Sequence, residues 1–293
     1  MPVQAADRKA LQDAGYIVAR GLLDRAVIEE LHARSQAILA ELPGEHRARN
    51  RSQGSLVPMA DHPEYGAIIG AQALRAAFER LAFPDPRFSS GYLISKPPGG
   101  PPLFWHQDWW GWDDPVSYTD EIAQVFVMIY LSDTSPENGC LRVIPGSHRR
   151  HHPLHDAPAA HGEALSRVED PNHPLYGRIQ GEIDVPVKAG DVVFGDARIL
   201  HAAHANRSDA ERSLLTLWYH PDYGSLPAGM RARIRGLFDR QGADTDVAGA
   251  DALTLEDWPD ADGLRDLFPP LETAVPHEWC RVPDWSRAPT TAA

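Results

Sequence analysis

The stretch Phe104-Trp105-His106-Gln107-Asp108-Trp109-Trp110 places an imidazole and a carboxylate two residues apart. On a β-strand, residues i and i+2 point to the same face, so His106 and Asp108 can reach one point in space from a single strand. Such a pair supplies two of the three ligands of a 2-His-1-carboxylate site, the facial arrangement that holds non-haem iron(II) and leaves positions open. The third ligand should be a histidine far along the chain, and Ile199-Leu200-His201 offers one. Alone, a His-x-Asp pair is more often a surface pair or a structural hydrogen bond, so its surroundings decide.

Outward from that stretch the texture is that of strands. Short apolar or alternating runs predict strands at 92–96, 103–108, 122–131, 140–144, 183–187, 192–194, 199–202 and 212–220. Between them lie the Pro-Pro-Gly-Gly-Pro-Pro loop at 97–102, an aromatic and acidic loop at 109–120, and a turn at Pro136-Glu137-Asn138-Gly139. Residues 149–178 are long, rich in His and Pro and weakly patterned, which makes them a candidate lid. Before the strands, the pattern predicts a helix over 7–14 closed by Gly15, a strand over 16–19, a long helix from Asp24 to Leu42, a polar loop over 45–53 and one helix over 63–81. A helix is also predicted over 227–240, followed by an acidic, Pro-rich tail. Strands gathered between 88 and 220 behind N-terminal helices predict an α+β protein, a β-sandwich or barrel braced by those helices. With no internal repeat and no clear linker, the chain is expected to form a single domain over 1–293, with a core at about 10–225 and a C-terminal extension at 226–293.

Composition bounds the partners. The chain of 293 residues has 41 acidic against 28 basic residues, a formal charge of −13, which argues against nucleic acid or an anionic membrane surface. Two cysteines imply no disulfide framework, and the first residues have neither a basic start nor an apolar run; a cytoplasmic protein is the expectation. No apolar stretch is long enough to span a membrane. Oligomeric state cannot be read from the sequence.

Three separated motifs agree in order and spacing: Phe104 to Asp108, Glu137-Asn138-Gly139-Cys140-Leu141 leading into Ile144-Pro145-Gly146-Ser147-His148, and His201 to Arg212. Together, over roughly residues 10–225, they resemble the phytanoyl-CoA dioxygenase family of iron(II)- and 2-oxoglutarate-dependent oxygenases. The resemblance implies a double-stranded β-helix, a cupin-like jelly roll. It implies Fe(II) held by His106, Asp108 and His201, with 2-oxoglutarate and O2 as co-substrates. It implies oxidative decarboxylation to succinate and CO2 coupled to hydroxylation of an aliphatic carbon in a small-molecule substrate. An intact Asp108 favours hydroxylation or desaturation, since a small residue stands there in related halogenases.

His204 competes with His201 for the third place, but three residues apart on a strand the two face opposite ways. The family's distal histidine is followed by Asn at plus five, Ser at plus seven and Arg at plus eleven. From His201 these are Asn206, Ser208 and Arg212, and from His204 none match. Arg212 shares a face with Leu214, Thr216 and Trp218, where an unpaired charge is costly, and a guanidinium can hold the distal carboxylate of 2-oxoglutarate through two parallel hydrogen bonds. A buried Arg–Asp or Arg–Glu pair is the ordinary alternative. Many relatives carry Gly-Ser after the distal histidine, and the Ser helps hold 2-oxoglutarate; here Ala202 and Ala203 stand there, so another group must replace that hydroxyl. Gln107, Tyr92, Gln124 and Met128 could line the co-substrate pocket by position, whereas Phe126 reads as core.

Trp105, Trp109, Trp110 and Trp112 are as readily packing as a substrate wall. The histidines at 148, 151, 152, 155, 161 and 173 fit no zinc spacing and read as loop residues, with His148 structural. Three alternatives stay open. One is the same class performing desaturation, epimerisation or ring chemistry. Another is a cupin-like metal enzyme without 2-oxoglutarate, against which Arg212 speaks. The last is a silent jelly-roll binding protein, against which the intact triad speaks. The substrate itself lies in loops whose sequence is hard to read.

Overall fold

The computed structural model describes residues 5–157, 162–238 and 264–288. Its strands are β1 (Tyr16–Ala19), β2 (Val57–Pro58), β3 (Arg87–Lys96), β4 (Leu103–His106), β5 (Val125–Tyr130), β6 (Leu141–Val143), β7 (Ile183–Val185), β8 (Val192–Asp196), β9 (His201–Ala203) and β10 (Arg212–His220). They form a six-stranded sheet in the order β1-β8-β5-β10-β3-β2 and a four-stranded sheet in the order β4-β9-β6-β7. All pairs within the sheets are antiparallel.

The two sheets face each other. Phe126, Met128, Tyr130, Val193 and Leu214 of the larger sheet pack in one cluster with Leu141, Val143 and Val185 of the smaller one. The larger sheet buries its other face as well. There Val125, Val127, Ile129, Leu215, Leu217 and Tyr219 meet Leu11 of helix α1 (Ala5–Ala14), Ile28, Leu31 and Leu39 of α2 (Arg25–Ala40), and residues of the helices that precede β3. Burial on both faces explains why β5 reads Val-Phe-Val-Met-Ile-Tyr without a polar residue. The architecture is the expected α+β jelly roll braced by N-terminal helices. Among the described residues no helix is long and apolar enough to cross a membrane.

Several local expectations are corrected. Residues 45–53 do not form only a loop, because α3 (Gly44–Arg49) occupies most of them, with Glu45 and Arg49 paired one turn apart. The single helix over 63–81 is three pieces: a 3-10 turn at Pro63–Tyr65, α4 (Gly66–Ile69) and α5 (Gln72–Arg80). Gly70 caps α4 and Ala71 is extended, and the Arg75 side chain takes the carbonyl freed at Gly70. Nor do the described residues of 149–178 form an open lid. They carry 3-10 turns at Pro153–Asp156 and Pro174–Tyr176 and the short helix α6 (Glu163–Arg167). Val168, Leu175 and Tyr176 are buried against Phe104, Trp105, Leu200 and Ala202. This cover is bolted to the smaller sheet, since Trp105 Nε1 donates to Gly177 O at 3.0 Å and the buried Arg142 pairs with Glu182 while donating to Gly177 O. The helix expected over 227–240 is α7 (Ala228–Gly236); residues 239–263, with much of the expected tail, lie outside the described residues.

Candidate active site

β4 and β9 place the two histidines. In their antiparallel register His106 stands directly opposite His201, and the ring centroids are 4.1 Å apart. Each imidazole is aimed the same way. His106 Nδ1 donates to Phe104 O at 2.9 Å and His201 Nδ1 to Ile199 O at 3.1 Å. A carbonyl two residues back thus fixes each tautomer, leaving Nε2 with its lone pair toward the interior.

Asp108 reaches the same point by a different route from the one its spacing suggests. The expected strand over 103–108 stops at His106, because the N–H groups of Asp108 and Trp109 both turn to Ala197 O, at 2.8 and 3.0 Å, instead of continuing the ladder. The turn still swings the carboxylate back. Asp108 Oδ1 lies 3.5 Å from His106 Nε2 and Oδ2 lies 3.7 Å from His201 Nε2. The indole of Trp218 donates to Asp108 Oδ2 at 3.0 Å and orients the carboxylate. Phe126 packs 5.1 Å from the His201 ring and over Gly195, where a Cβ would stand 2.0 Å from it. Ala197 is held in turn by the buried Asp196–Arg198 pair at 2.7 Å, whose guanidinium also ties down Ser117 O, Thr119 O and Glu121 O.

Two imidazole nitrogens and one carboxylate oxygen within 4.8 Å of one another form a donor set suited to iron(II). A second group, Cys140, Asp184 and His204, also gathers within 4.8 Å. Here His204 Nε2 and Asp184 Oδ1 bond each other at 2.6 Å, and burial, reinforced by Asp184, pushes the Cys140 thiol up to about 12. His201 and His204 therefore belong to different groups, as their spacing suggests.

Arg212 opens β10 on the interior face and is 3% exposed. Among the described residues no carboxylate answers it: the groups acting on it are Tyr130 and Cys140, and its Nε has no acceptor. The alternative of a buried Arg–carboxylate pair is thereby set aside. Directly across the ladder sits Lys96, also fully buried, whose Nζ donates to the carbonyls of Ser52 and Pro101. Burial first, and Arg212 second, hold the Lys96 ammonium well below the usual lysine range. Asn206 and Ser208 build the turn that delivers Arg212: Asn206 Nδ2 donates to Lys96 O and Ala210 O, and Ser208 Oγ donates to Asn206 Oδ1.

Thr216 lies two rungs further in, opposite both Tyr92 and Met128, and its buried Oγ1 has no partner. It is a hydroxyl on the Arg212 face that sequence reading treated only as apolar surroundings. Tyr92 is half-buried with its ring edge-on to Trp218 at 5.8 Å, and Met128 accepts weakly from Tyr130 Oη. Gln107 donates from Nε2 to Arg281 O at 2.9 Å. Gln124 donates weakly to Ser89 Oγ.

The largest feature missed in the sequence is the segment 276–288. It runs beside residues 107–118, with Cys280 N donating to Trp110 O, Trp112 N to Cys280 O and Asp284 N to Tyr118 Oη. Trp279 meets Trp110, and Trp285 meets Trp112, Tyr118 and His155. Trp109, Trp110 and Trp112 are therefore packing residues, and Trp105 carries Arg142 on its face. The unusual density of tryptophan at 105–112 was the one signal that a distant aromatic segment would be needed. The described loop histidines serve turns: His148 bonds Gln12 O, His152 and His155 cap one turn, and His173 starts another. His161 lies outside the described residues. A cavity of about 310 Å³ is lined by Trp110, Asp113, Met230 and Glu278 among others, and no triad residue lines it.

Residues 11–214 match the family model for phytanoyl-CoA dioxygenase. The chain is 30% identical over 137 residues to a probable alpha-ketoglutarate-dependent hypophosphite dioxygenase of Stutzerimonas stutzeri; the match covers 45% of this chain and 44% of that one, less than half of the relative's length. Among solved structures it is similar to the non-heme alpha ketoglutarate dependent carbocyclase SnoK from nogalamycin biosynthesis, with 25% identity, a TM-score of 0.55, and 76% of this chain and 87% of that one covered. HygX from Streptomyces hygroscopicus, solved with nickel and 2-oxoglutarate bound, shares the fold at 22% identity and a TM-score of 0.57 over 75% of this chain and 88% of that one. With the family model spanning most of the barrel, the chain belongs to the phytanoyl-CoA dioxygenase family of iron(II)- and 2-oxoglutarate-dependent oxygenases.

Proposed function

We propose that this chain hydroxylates an aliphatic carbon of a small molecule, using a metal held by His106, Asp108 and His201 and 2-oxoglutarate anchored on Arg212. The observation that carries the reading is the unanswered guanidinium of Arg212, buried on the interior face of the barrel whose smaller sheet supplies the two histidines. A buried cation without a counter-charge costs several kcal/mol on the order of magnitude that desolvation imposes, so the site favours an anion. The distal carboxylate of 2-oxoglutarate matches a planar fork.

Iron(II) in the triad, with 2-oxoglutarate and O2, supplies the oxidising power: one C–H of the substrate becomes C–OH while 2-oxoglutarate becomes succinate and CO2. The chain's own residues do the positioning. The carbonyls of Phe104 and Ile199 hold each ring by its Nδ1 so that Nε2 faces the site, and Trp218 sets the carboxylate of Asp108. Thr216 Oγ1 takes the place of the serine hydroxyl that Ala202 and Ala203 lack, with Tyr92 and Met128 across the ladder on either side of it. Likeness to a carbocyclase supports ring closure as a second outcome at the same site.

The test is anaerobic titration of the Fe(II)-loaded protein with 2-oxoglutarate, watching for a visible metal-to-ligand charge-transfer band. A band that appears in the wild type and is lost in Asp108→Ala supports the site. Iron binding without a band refutes 2-oxoglutarate as co-substrate.

A further inference from the structure

The strap at 276–288 brings a second arginine to the site. Arg281 follows Cys280, which is paired with the backbone of Trp110 and Trp112. Its carbonyl accepts from Gln107, the residue between two members of the triad. Its guanidinium is partly buried, rests 5.9 Å from the Trp279 ring, and lies within electrostatic reach of Asp108 and Tyr92. Arg281 makes no side-chain hydrogen bond or ion pair among the described residues. Other arginines in the neighbourhood of the strap are answered: Arg231 pairs with Glu272 and Arg287 with Asp284.

Among the described residues, the one carboxylate that acts on Arg281 is Asp108. That carboxylate belongs to the donor set, and a bound divalent metal takes up its negative charge. With that carboxylate engaged, no anionic side chain of the described residues is left to answer Arg281. Arg212 cannot relieve this, since it is itself an unanswered cation and is assigned to 2-oxoglutarate. Tyr92, which also acts on Arg281, lies edge-on to Trp218, and Trp218 in turn touches Asp108. A partly desolvated guanidinium beside an aromatic wall is a site for a planar or tetrahedral oxyanion carried on an apolar body.

We propose that Arg281 binds an oxyanion of the substrate, so that this enzyme acts on an acid: a carboxylate, phosphate or sulfonate. The proposal rests on the reading of the site given above, and it names the substrate class of that site. The overall charge of −13 does not bear on it, because the field at the site is set by the nearest groups, not by the distant surface.

The experiment begins with the full chain loaded with Fe(II) and 2-oxoglutarate under nitrogen, and the charge-transfer band is recorded first. Matched probes are then added: octanoate and octanamide, phenylacetate and phenylacetamide, phenyl phosphate and phenol, benzenesulfonate and benzenesulfonamide. Binding is read from tryptophan fluorescence and from the shift of the band. At least one acid is expected to bind about ten- to a hundredfold more tightly than its neutral partner, the range one charge-assisted pair supplies. Which acid prevails distinguishes carboxylate from phosphate or sulfonate. Arg281→Gln should abolish the preference while the band still forms, and Arg281→Lys should restore part of it. If the band forms and no acid outbinds its neutral partner, or if Arg281→Gln keeps the preference, the proposal is overturned. If no band forms, the reading of the site has failed first and takes the proposal with it.

Discussion

Replacing Trp218 by Phe removes one hydrogen bond to the triad and little else. The indole Nε1 stands 3.0 Å from Asp108 Oδ2, while the ring meets Tyr92 edge-on at 5.8 Å, a contact a phenyl ring can keep. Asp108 has a side chain only 11% exposed, so water cannot fully replace the lost donor. A hydrogen bond to a charged group contributes about 1.5–3 kcal/mol, which sets the ceiling on the effect. The metal does not feel all of it, because the bond exists before and after binding. What is lost is orientation: the carboxylate becomes free to turn toward His106 Nε2, now 3.5 Å from Oδ1, or toward His201 Nε2, now 3.7 Å from Oδ2. Removing a partner behind a ligand typically weakens metal binding about 10- to 100-fold, within that ceiling. Calorimetric titration of the apoprotein with Co(II), or competition with a chelator for Fe(II), should show a loss of that size in Trp218→Phe. The KM for 2-oxoglutarate at saturating metal should not move. Unchanged metal affinity in a folded variant would refute the orienting role, and a raised KM with unchanged affinity would place Trp218 with the co-substrate instead.

Three further outcomes are expected. Arg212→Met should raise the apparent KM for 2-oxoglutarate about a hundredfold or more, as truncation of a buried ion-pair partner does, while the apoprotein melts no earlier, because an unanswered buried cation has been removed; steady-state kinetics and thermal melting read the two. His201→Ala should lose bound iron by elemental analysis, whereas His204→Ala, which breaks only the bond to Asp184, should keep it. Burial holds His220 near about 4, below its ordinary 6.5, with its Nδ1 donating to Ala123 O. Between those values the unfolded chain takes up a proton that the folded chain refuses, so stability is complete above pH 6.5 and falls as pH drops toward 4, by up to about 3 kcal/mol. Urea melts across that window should show a shallower slope in His220→Gln; an identical slope would refute the assignment.

The parts of the site that were legible in the sequence are those written in short periods. Strand alternation put Arg212, Leu214, Thr216 and Trp218 on one face of β10, and the ladder keeps them there, each opposite a residue of β3. Spacing also separated His201 from His204. What could not be read depended on non-local competition for backbone groups. Asp108 reaches the histidines because Ala197 O captures two N–H groups and ends the strand, and nothing between 103 and 108 announces that. The helix over 63–81 breaks at Gly70 and Ala71, where the apolar pattern runs on undisturbed. The stretch 149–178 has no period because its described residues are an irregular cover, held by Trp105 and Arg142 from the sheet beneath. A threonine on an apolar face gives no sign in the sequence that its hydroxyl will be left without a partner, as Thr216 Oγ1 is.

The family match ends at residue 214, which divides the site in a physically sensible way. His106, Asp108, His201 and Arg212 lie inside the matched region, on or beside strands whose register leaves little freedom. Thr216, Trp218, Gln107's partner Arg281 and the tryptophans of the strap lie outside it. A rigid pair of sheets suits groups that must meet a metal and a fixed co-substrate within tenths of an ångström. Substrate is a different problem, because relatives on one barrel act on different molecules, and a segment joined to the barrel through side chains and a few backbone bonds can change without disturbing the ligands. The strap is built that way. It contacts the metal segment through Gln107 and the backbone at 110–112, and its Arg281 reaches the field of Asp108 without bonding it. Specificity can therefore be altered along 276–288 while the carbonyls behind His106 and His201 stay where they are.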